Sequence, residues 1–285
     1  MNFCRLRTTI DRKELFMSSR HPMLRHVLGT LMLPLSVLSV SAAAYAAEEH
    51  GPEPDTTLAF NVGATTDYRV RGIAQTSGKP AIQGGVDFGM KSGLYLGIAA
   101  SNVRWVKEFN GATKGNTEVD FYGGFKSLLG DTGFSYDVGL ITYRYPGNNS
   151  GVEGFFPAGT YSNANTVEAY GALTYGIYTF KYNRSLGDFL GNVDSSGSQY
   201  FDLSAAIDLT NGFTLTPHVG RQLIPNQPGK ASYSDLALTL SKDFGNGFSA
   251  TAAALATNAD RVFYTDTRGR FLGNNTLAVG VKYSF

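Results

Sequence analysis

The feature that most constrains this chain is the alternation of apolar and polar residues over segments of about ten residues. The C-terminal segment TLAVGVKYSF shows it plainly. In an extended strand, Leu277, Val279 and Val281 lie on one face, and Gly280 and Lys282 lie on the other. The pattern predicts a strand with one apolar side.

The same alternation recurs along the chain and predicts twelve strands. Their lengths suit strands that cross a lipid bilayer at a tilt, which need about 9–11 residues. The predicted bounds are 58–73, 81–90, 94–104, 117–127, 134–144, 166–175, 177–184, 200–209, 213–221, 233–243, 248–257 and 276–285. Pro217 lies within the ninth strand and predicts a bulge or kink there, because proline cannot donate to the ladder.

The connections alternate in length. Those after even-numbered strands are short, and those after odd-numbered strands are longer: 74–80, 105–116, 145–165, 185–199, 222–232 and 258–275. A soluble β-sandwich also has alternating strands but does not predict this alternation of loops. The sequence therefore predicts an all-β fold, a 12-stranded antiparallel transmembrane β-barrel with short periplasmic turns and longer extracellular loops over residues 58–285.

The N-terminal segment reads as a secretory leader. A basic start at Arg25, an apolar run and the small-x-small site Ala44-Tyr45-Ala46 predict a signal peptide over 1–46, cleaved after Ala46. Residues 1–22 resemble neither leader nor domain, so translation from Met17 or Met23 stays open. Residues 47–57 are a predicted periplasmic tail. A secreted barrel of this kind predicts a bacterial outer-membrane location.

Removing the leader changes what the composition says. The chain has 24 basic and 23 acidic residues, of which six basic and two acidic precede the cleavage site, so the remainder has a net charge of −3. A net charge of −3 does not indicate a basic surface that would bind nucleic acid. The single cysteine, Cys4, is also removed, which excludes a disulfide framework.

The terminal Phe285 predicts recognition by the barrel-assembly machinery. Tyrosines near strand ends, including Tyr68, Tyr95 and Tyr264, predict interfacial aromatic girdles.

Four segments carry a more particular resemblance. TDYRVRGIAQTSGKPAIQGGVDFG (66–89), LYLGIAASNV (94–103), TEVDFYGGF (117–125) and SYDVGLITYRYPG (135–147) resemble the TorF-type porin family. The later half of the chain matches mainly by its strand pattern. The resemblance implies an outer-membrane β-barrel that acts as a porin, but it transfers no functional residues to this chain. Separately from the resemblance, a barrel in that membrane predicts lipid, lipopolysaccharide and small solutes as partners.

Strand parity predicts which charged residues face the lumen. The pore-lining candidates are Asp67, Arg69, Arg71, Asp87, Glu118, Asp120, Asp137, Glu168, Lys181, Asp202 and Asp235. The same parity places Asp208, Asp243, Lys126 and Lys282 inside. Acids outnumber bases ten to five, which predicts a narrow pore that modestly prefers cations. The alternative is a plugged structural or adhesive barrel in which these charges neutralise each other.

Four arginines fall at the outer ends of odd-numbered strands with outward parity: Arg104, Arg144, Arg184 and Arg221. Guanidinium groups bind phosphate in a bidentate geometry, so these residues are predicted to contact lipopolysaccharide phosphates. Ordinary solvation of the rim is the alternative. The loop 145–165 contains Phe155, Phe156 and Tyr161 and either constricts the mouth or packs on another loop.

An outer-membrane hydrolase is the least favoured reading. Pairing of the eighth and ninth strands places Ser204 opposite His218, with Asp202 and Asp235 nearby, which gives a Ser-His-Asp set by residue type only. The sequence has no zinc-protease, P-loop, nucleophile-elbow or EF-hand motif. We therefore predict no catalytic residues, no metal and no cofactor.

Overall fold

A computed structural model describes residues 54–152, 155–227 and 230–285. Twelve antiparallel strands form a closed barrel, which confirms the predicted fold class. They are β1 Thr56–Thr65, β2 Ala81–Met90, β3 Leu94–Asn102, β4 Thr117–Leu128, β5 Phe134–Arg144, β6 Thr166–Tyr175, β7 Tyr178–Ser185, β8 Gln199–Ala205 continued by Ile207–Asp208, β9 Phe213–Leu223, β10 Tyr233–Gly245, β11 Phe248–Thr257 and β12 Thr276–Ser284. The predicted signal peptide, its cleavage site and residues 47–53 lie outside the described residues.

Closure is made by the first and last strands. β1 pairs with β2 on one side and with β12 on the other, with Asn61 opposite Ser284 and Thr65 opposite Gly280. β8 is hydrogen-bonded to both β7 and β9, so the ring is complete. Because every strand has two neighbours, the barrel has no open sheet edge that would leave backbone groups without partners.

The outer surface of the barrel is apolar. Large side chains that point outward are strongly exposed, with Leu96 at 64% and Leu277 at 65%. Others in this outer band include Leu58, Val62, Ile82, Ile98, Phe121, Val138, Leu140, Phe180, Leu203, Leu236, Leu238 and Val279. An exposed apolar band of this extent is the surface of a protein that faces lipid. None of the helices in the described ranges is long and apolar enough to span a membrane.

One strand end differs strongly from the prediction, and the other ends agree with it to within two residues. β1 ends at Thr65 rather than at residue 73, and β3 ends at Asn102 rather than at 104. The long connections therefore start earlier than expected: loop 1 is 66–80 and loop 2 is 103–116. The connections alternate between short and long as predicted. We call the two ends of the barrel the short-turn end and the long-loop end.

The predicted bulge at Pro217 is wrong. Its register is unbroken toward β10, where Pro217 lies opposite Leu238. The irregularity falls on the other neighbour, β8, which is interrupted at Ala206. The register is kept across this interruption, since Ser204 lies opposite His218 and Ile207 lies opposite Leu215, so no extra residue is inserted beside Pro217. The bulge in this sheet lies elsewhere, between Asp243 and Gly245 of β10.

Loop 1 folds into the barrel as a short hairpin. Its arms are Arg69–Val70 and Ile73–Ala74, and Arg71 and Gly72 turn the chain with φ of 50° and 78°. Although loop 1 leaves the barrel at the end of β1, the Arg71 guanidinium reaches Glu168 of β6 and Gln222 of β9. These strands lie on the far wall, so the hairpin crosses the lumen.

The other long loops pack over this hairpin. Loop 2 carries the one-turn helix α1, Trp105–Glu108, whose Trp105 packs edge-on against Tyr145. Ile73 and Ala74 of the hairpin pack in a buried cluster with Tyr264 and Leu272 of the last loop. Phe155 donates its backbone N–H to Gly111, so loop 145–165 packs on loop 2. The long-loop end is thus a packed cap.

The turn at Gly72 provides a test of the inserted hairpin. Replacing Gly72 with Ala should loosen it, because an added Cβ would lie 2.9 Å from the Asp235 Cβ and clash with Thr257, at a positive φ that L-residues avoid. Trypsin cleavage at Arg69 and Arg71 of the folded protein, followed by mass spectrometry, should speed up about tenfold, since strain of about 1–2 kcal/mol raises the open population by that factor.

Gly78→Ala is the matched control for this variant. Gly78 also has a positive φ, 68°, but an added Cβ there meets nothing within 4 Å. It shares the backbone strain without the clash, and Arg69 and Arg71 should stay protected. Equal cleavage of both variants would show that the hairpin does not rest against this wall.

Candidate functional site

Tyrosines form a row that climbs the inner wall. Successive cross-strand partners from β3 to β10 connect Tyr95 near the short-turn end with Tyr233 near the long-loop end. The row consists of Tyr95, Gly124, Gly139, Tyr170, Asn183, Tyr200, Gln222 and Tyr233. We call it the tyrosine row. Because its members are direct register partners, all of them face the lumen.

Inward tyrosines lie flat on glycines of the neighbouring strand. The ring of Tyr122 covers its direct partner Gly97, and the hydroxyl end of Tyr170 covers Gly139. Tyr95 covers Gly124 in the same manner, with its hydroxyl 2.7 Å from where a Cβ would be. A Cβ on any of these glycines would push the ring off the wall. The glycines therefore keep the rings out of the centre of the lumen.

A second row, of alternating charge, runs beside the first. Its cross-strand partners climb from β4 to β10 and are Lys126, Asp137, Ala172, Lys181, Asp202, Gly220 and Asp235. We call it the charge row. Because these residues are direct register partners, they all lie on the inner face of the barrel.

The two rows are coupled by direct contacts. The ammonium of Lys181 lies 4.4 Å from the ring centroid of Tyr170, which is a favourable cation–π distance. The hydroxyl of Tyr95 donates to Asp137 over 2.5 Å. Tyr122 donates likewise to Asp87, also over 2.5 Å. Each tyrosine thus supports a charge of the wall through its ring or its hydroxyl.

His218 links two carboxylates of the charge row. Its Nδ1 lies 2.8 Å from Asp202 Oδ2 and its Nε2 lies 2.8 Å from Asp235 Oδ1. An imidazole that donates from both nitrogens is the imidazolium. Tyr200 completes the cluster, with its hydroxyl 3.2 Å from Asp235. Ser204 lies opposite His218 as predicted.

The geometry excludes a Ser-His-Asp catalytic triad at Ser204 and His218. A general base needs a free ring nitrogen directed at the serine. Both nitrogens of His218 are occupied by carboxylates, so none is left for Ser204. The cluster is an ion network in the wall. Among residues 54–152, 155–227 and 230–285, no group of His, Cys, Asp and Glu is arranged to hold a metal ion.

Carboxylates near the long-loop end hold the loop 1 hairpin. Glu118 accepts from the hydroxyls of Tyr68 and Tyr145 at 2.5 and 2.7 Å. Glu168 binds the Arg71 guanidinium through both oxygens, at 3.0 and 2.6 Å. Arg71 also stacks over the Tyr200 ring at 4.3 Å. A buried bidentate pair of this kind is strongly oriented.

Three predicted pore-lining residues therefore have a different setting. Asp67, Arg69 and Arg71 were predicted within the first strand, but they lie in loop 1, beyond the end of β1. Asp67 pairs with Arg69 at 2.7 Å, and Arg69 also donates to the Asn274 carbonyl. They reach the lumen as part of the hairpin. The alternation of apolar and polar residues continues past Thr65 in the sequence, so it does not show that the chain leaves the strand and turns at Arg71 and Gly72.

Arg144, Arg184 and Arg221 end β5, β7 and β9 or lie next to their ends, and all three are exposed on the outside. Arg104 differs, because its strand ends two residues earlier. Its guanidinium turns to Glu108 of α1 at 3.0 Å. Only three of the four predicted arginines therefore form an outer set.

Glu108 joins loop 1, loop 2 and the last loop, residues 258–275, within the cap. It accepts from Ser77 over 2.6 Å and contacts Arg104 and Arg268 at 3.0 and 3.1 Å. Burial acts to raise the pKa of this carboxyl, but the Ser77 and Arg104 hydrogen bonds and the Arg268 charge outweigh it, so the pKa lies below its ordinary value. The carboxylate is held ionised in the cap.

A small cavity lies between the cap and the wall. It has a volume of about 50 Å³ and is lined mainly by apolar and aromatic side chains, among them Val70, Trp105, Phe189 and Tyr264. Arg71 forms part of its floor. The cavity has room for a few water molecules only.

Sequence reasoning missed the role of the tyrosines. Tyr68, Tyr95 and Tyr264 were predicted in interfacial girdles, but Tyr68 and Tyr264 are buried in the cap and Tyr95 faces the lumen. The signal was present in LYLGIAA and DFYGGF, where Tyr and Gly share one parity on adjacent strands.

The fold and the wall define a class, namely closed 12-stranded antiparallel barrels with an apolar exterior and a polar, charged interior. The chain belongs to the family described as "Bacterial protein of unknown function" (Gcw_chp), whose model matches residues 48–285. No curated protein matches the sequence. The predicted relationship to TorF-type porins stays a prediction.

Solved structures that the chain resembles in shape include two porins and an outer membrane channel. The KdgM porin in complex with disordered oligogalacturonate has a TM-score of 0.48 at 8% identity, covering 81% of this chain and 99% of that chain. The NanC porin has a TM-score of 0.48 at 12% identity, covering 80% and 99%. An outer membrane channel from Pseudomonas putida F1 has a TM-score of 0.47 at 11% identity, covering 86% and 98%.

Gly97→Ala tests the packing of tyrosine on glycine. The atoms nearest to the new Cβ all belong to the side chain of Tyr122, so this side chain should swing into the lumen while the barrel still folds. Losing the hydrogen bond to Asp87 should lower the free energy of unfolding in urea by about 1.5–3 kcal/mol. The outward-facing Gly171→Ala is the control, because its Cβ would meet only Val138, at 3.9 Å. Equal stability of the two variants would contradict the account.

Proposed function

We propose that this protein is an outer-membrane channel for passive diffusion of small polar solutes or ions, with no covalent chemistry. The observation that carries the proposal is the opposite polarity of the two barrel faces. The outer face exposes Leu96 and Leu277, while the inner wall carries the charge row and the tyrosine row. Lipid would solvate the first face, and water and solutes the second.

The packing of the tyrosines supports an open route rather than a filled core. Rings that lie on Gly97, Gly124 and Gly139 stay against the wall. Barrels of about eight strands are filled by their side chains, and barrels of about sixteen leave an aqueous channel. A barrel of twelve strands has an intermediate diameter. The space left along its axis therefore depends on whether the inward tyrosine rings lie against the wall.

The hairpin of loop 1 would be the constriction of this channel. Arg71 crosses the lumen to Glu168 and Gln222 and is held there by four polar or cation–π contacts. The same contacts support the alternative of a plugged barrel. The two functions differ in whether the hairpin leaves a path or moves.

Cation preference is part of the proposal. Arg71 is paired with Glu168, and His218 bridges Asp202 and Asp235, so these positive charges are largely neutralised. The remaining acids of the wall include Asp87, Asp120 and Asp137. Carboxylates in a narrow, low-dielectric lumen raise the local concentration of cations.

Conductance of the purified protein in planar bilayers, under a KCl gradient, tests the function. We expect discrete openings and a reversal potential shifted toward cations. Arg71→Gln should enlarge the openings and strengthen the shift, because it releases the hairpin and leaves the Glu168 carboxylate uncompensated.

Lys79→Gln is the control, since Lys79 lies exposed in the same loop. Silence of correctly folded wild-type protein and of Arg71→Gln would refute the channel and favour the plugged barrel. Anion preference would refute only the role given to the wall carboxylates.

We also propose that the outer set of arginines, Arg144, Arg184 and Arg221, contacts lipopolysaccharide phosphates. They are exposed on the lipid side at the long-loop end, where the channel would meet the outer leaflet. Phe285 would serve recognition by the assembly machinery; it stacks on Phe60 with ring centroids 5.7 Å apart at the short-turn end.

Replacing the three outer arginines together with Gln should reduce the lipopolysaccharide that copurifies with the protein by several-fold, because guanidinium–phosphate pairs are lost. Quantitative phosphate or lipid A analysis of the detergent-purified protein measures this. Arg104→Gln is the control, as its guanidinium is bound to Glu108. The same lipopolysaccharide content in the triple variant would show that the arginines serve only to solvate the rim.

A further inference from the structure

Lys181 is the charged residue of the wall whose setting is least explained by structural needs. It faces the lumen from the middle of β7 and is only 5% exposed. Within the described part of the chain, no hydrogen bond and no ion pair within 4 Å involves its ammonium; its close contact is the Tyr170 ring. A buried ammonium that has no acceptor within the protein is available to pair with the carboxylate of a solute.

The carboxylates that could neutralise Lys181 are bound to other donors. Asp202 is its direct cross-strand partner, but its Oδ2 is held by His218 at 2.8 Å. Asp137 lies two strands away in the charge row and accepts from Tyr95 at 2.5 Å. The positive and negative groups are therefore neighbours that remain separate.

The position of Lys181 suits a site on the route of the solute. Asn183, two residues along β7, is the direct partner of Tyr200, over which the Arg71 guanidinium stacks. Toward the short-turn end the wall continues with Thr174 and Thr179, which are small and polar. Lys181 thus lies directly below the hairpin.

We infer that the lumen binds small zwitterions, such as free α-amino acids, between Lys181 and the neighbouring carboxylates. The solute carboxylate would pair with the Lys181 ammonium, and its ammonium would pair with Asp202 or Asp137. A solute that is only an anion meets repulsion from both carboxylates. A solute that is only a cation meets repulsion from Lys181. A zwitterion satisfies both signs at once.

This inference rests on the proposed channel and names its substrate class. Four solutes of similar size separate the charges: L-alanine is a zwitterion, propionate an anion, L-alaninamide a cation and propionamide neutral. Each is added at low salt to the full chain, expressed in a Gram-negative host and purified from its outer membranes. The block of single-channel current is measured against concentration.

Wild-type protein should be blocked by L-alanine at a concentration about tenfold lower than by the other three solutes, because a hydrogen bond to a charged group contributes about 1.5–3 kcal/mol. Lys181→Met should remove that preference, and Lys181→Arg should retain it because the charge is kept. Lys114→Met, at an exposed position in loop 2, is the matched control and should behave as wild type. Heat-modifiable mobility on gels shows that each variant is folded.

Equal block by all four solutes, or an unchanged preference in Lys181→Met, would overturn the inference while leaving the channel in place. If no variant conducts, the channel proposal fails, and binding is decided by saturation-transfer NMR of the detergent-solubilised protein. Transfer to the alanine methyl group that disappears in Lys181→Met supports the site. Absence of transfer in the wild type overturns it.

Discussion

Every backbone N–H and C=O that faces lipid must find its partner within the protein, and the closed ladder of hydrogen bonds between β1 and β12 meets this requirement. Closure fixes the alternation of inward and outward residues, so one face of each strand meets lipid and the other meets the lumen. It also fixes the cross-strand register. Both rows on the inner wall, of tyrosine and of charge, follow from that register.

The register has a chemical consequence for the interior. Glycine opposite tyrosine, as in Gly97 and Tyr122, makes space for a ring to lie against the wall. The hydroxyl of the ring then reaches a carboxylate of a nearby strand, here Asp87. Many charged groups can be held in a narrow lumen in this way without filling it. These side chains are oriented by contacts with neighbouring strands of the same wall.

The strand plan was predictable from the sequence because its signal is local. A period of two and the alternation of loop lengths gave twelve strands, their order and the inward parity of residues such as Glu118, Asp137 and Lys181. What could not be predicted is contact across the lumen. The polar and apolar alternation continues from Thr65 into loop 1, so nothing local shows that Arg71 turns back to reach Glu168.

The same limit explains the other errors. Tyr95 was assigned to an interfacial girdle because it lies near a strand end. Its position in the strand places it on the inner face of the barrel instead, where its ring packs on Gly124. The Ser204 and His218 pairing and the nearness of Asp202 and Asp235 were correct, but residue types do not show that the two carboxylates occupy both ring nitrogens. The orientation of a side chain among several neighbours is not encoded in the pattern of any single strand.

Exchanging the two charges that hold the hairpin to the wall tests the central claim most directly. Arg71 lies on the hairpin and Glu168 lies on β6, and their side chains form a bidentate pair. If the hairpin is the constriction of a channel, Arg71→Glu should raise the conductance of the folded protein, because two carboxylates then repel each other, and adding Glu168→Arg should lower it again by restoring an ion pair. Equal conductance of the wild type, the single variant and the double variant, with all three shown to be folded, would contradict the account.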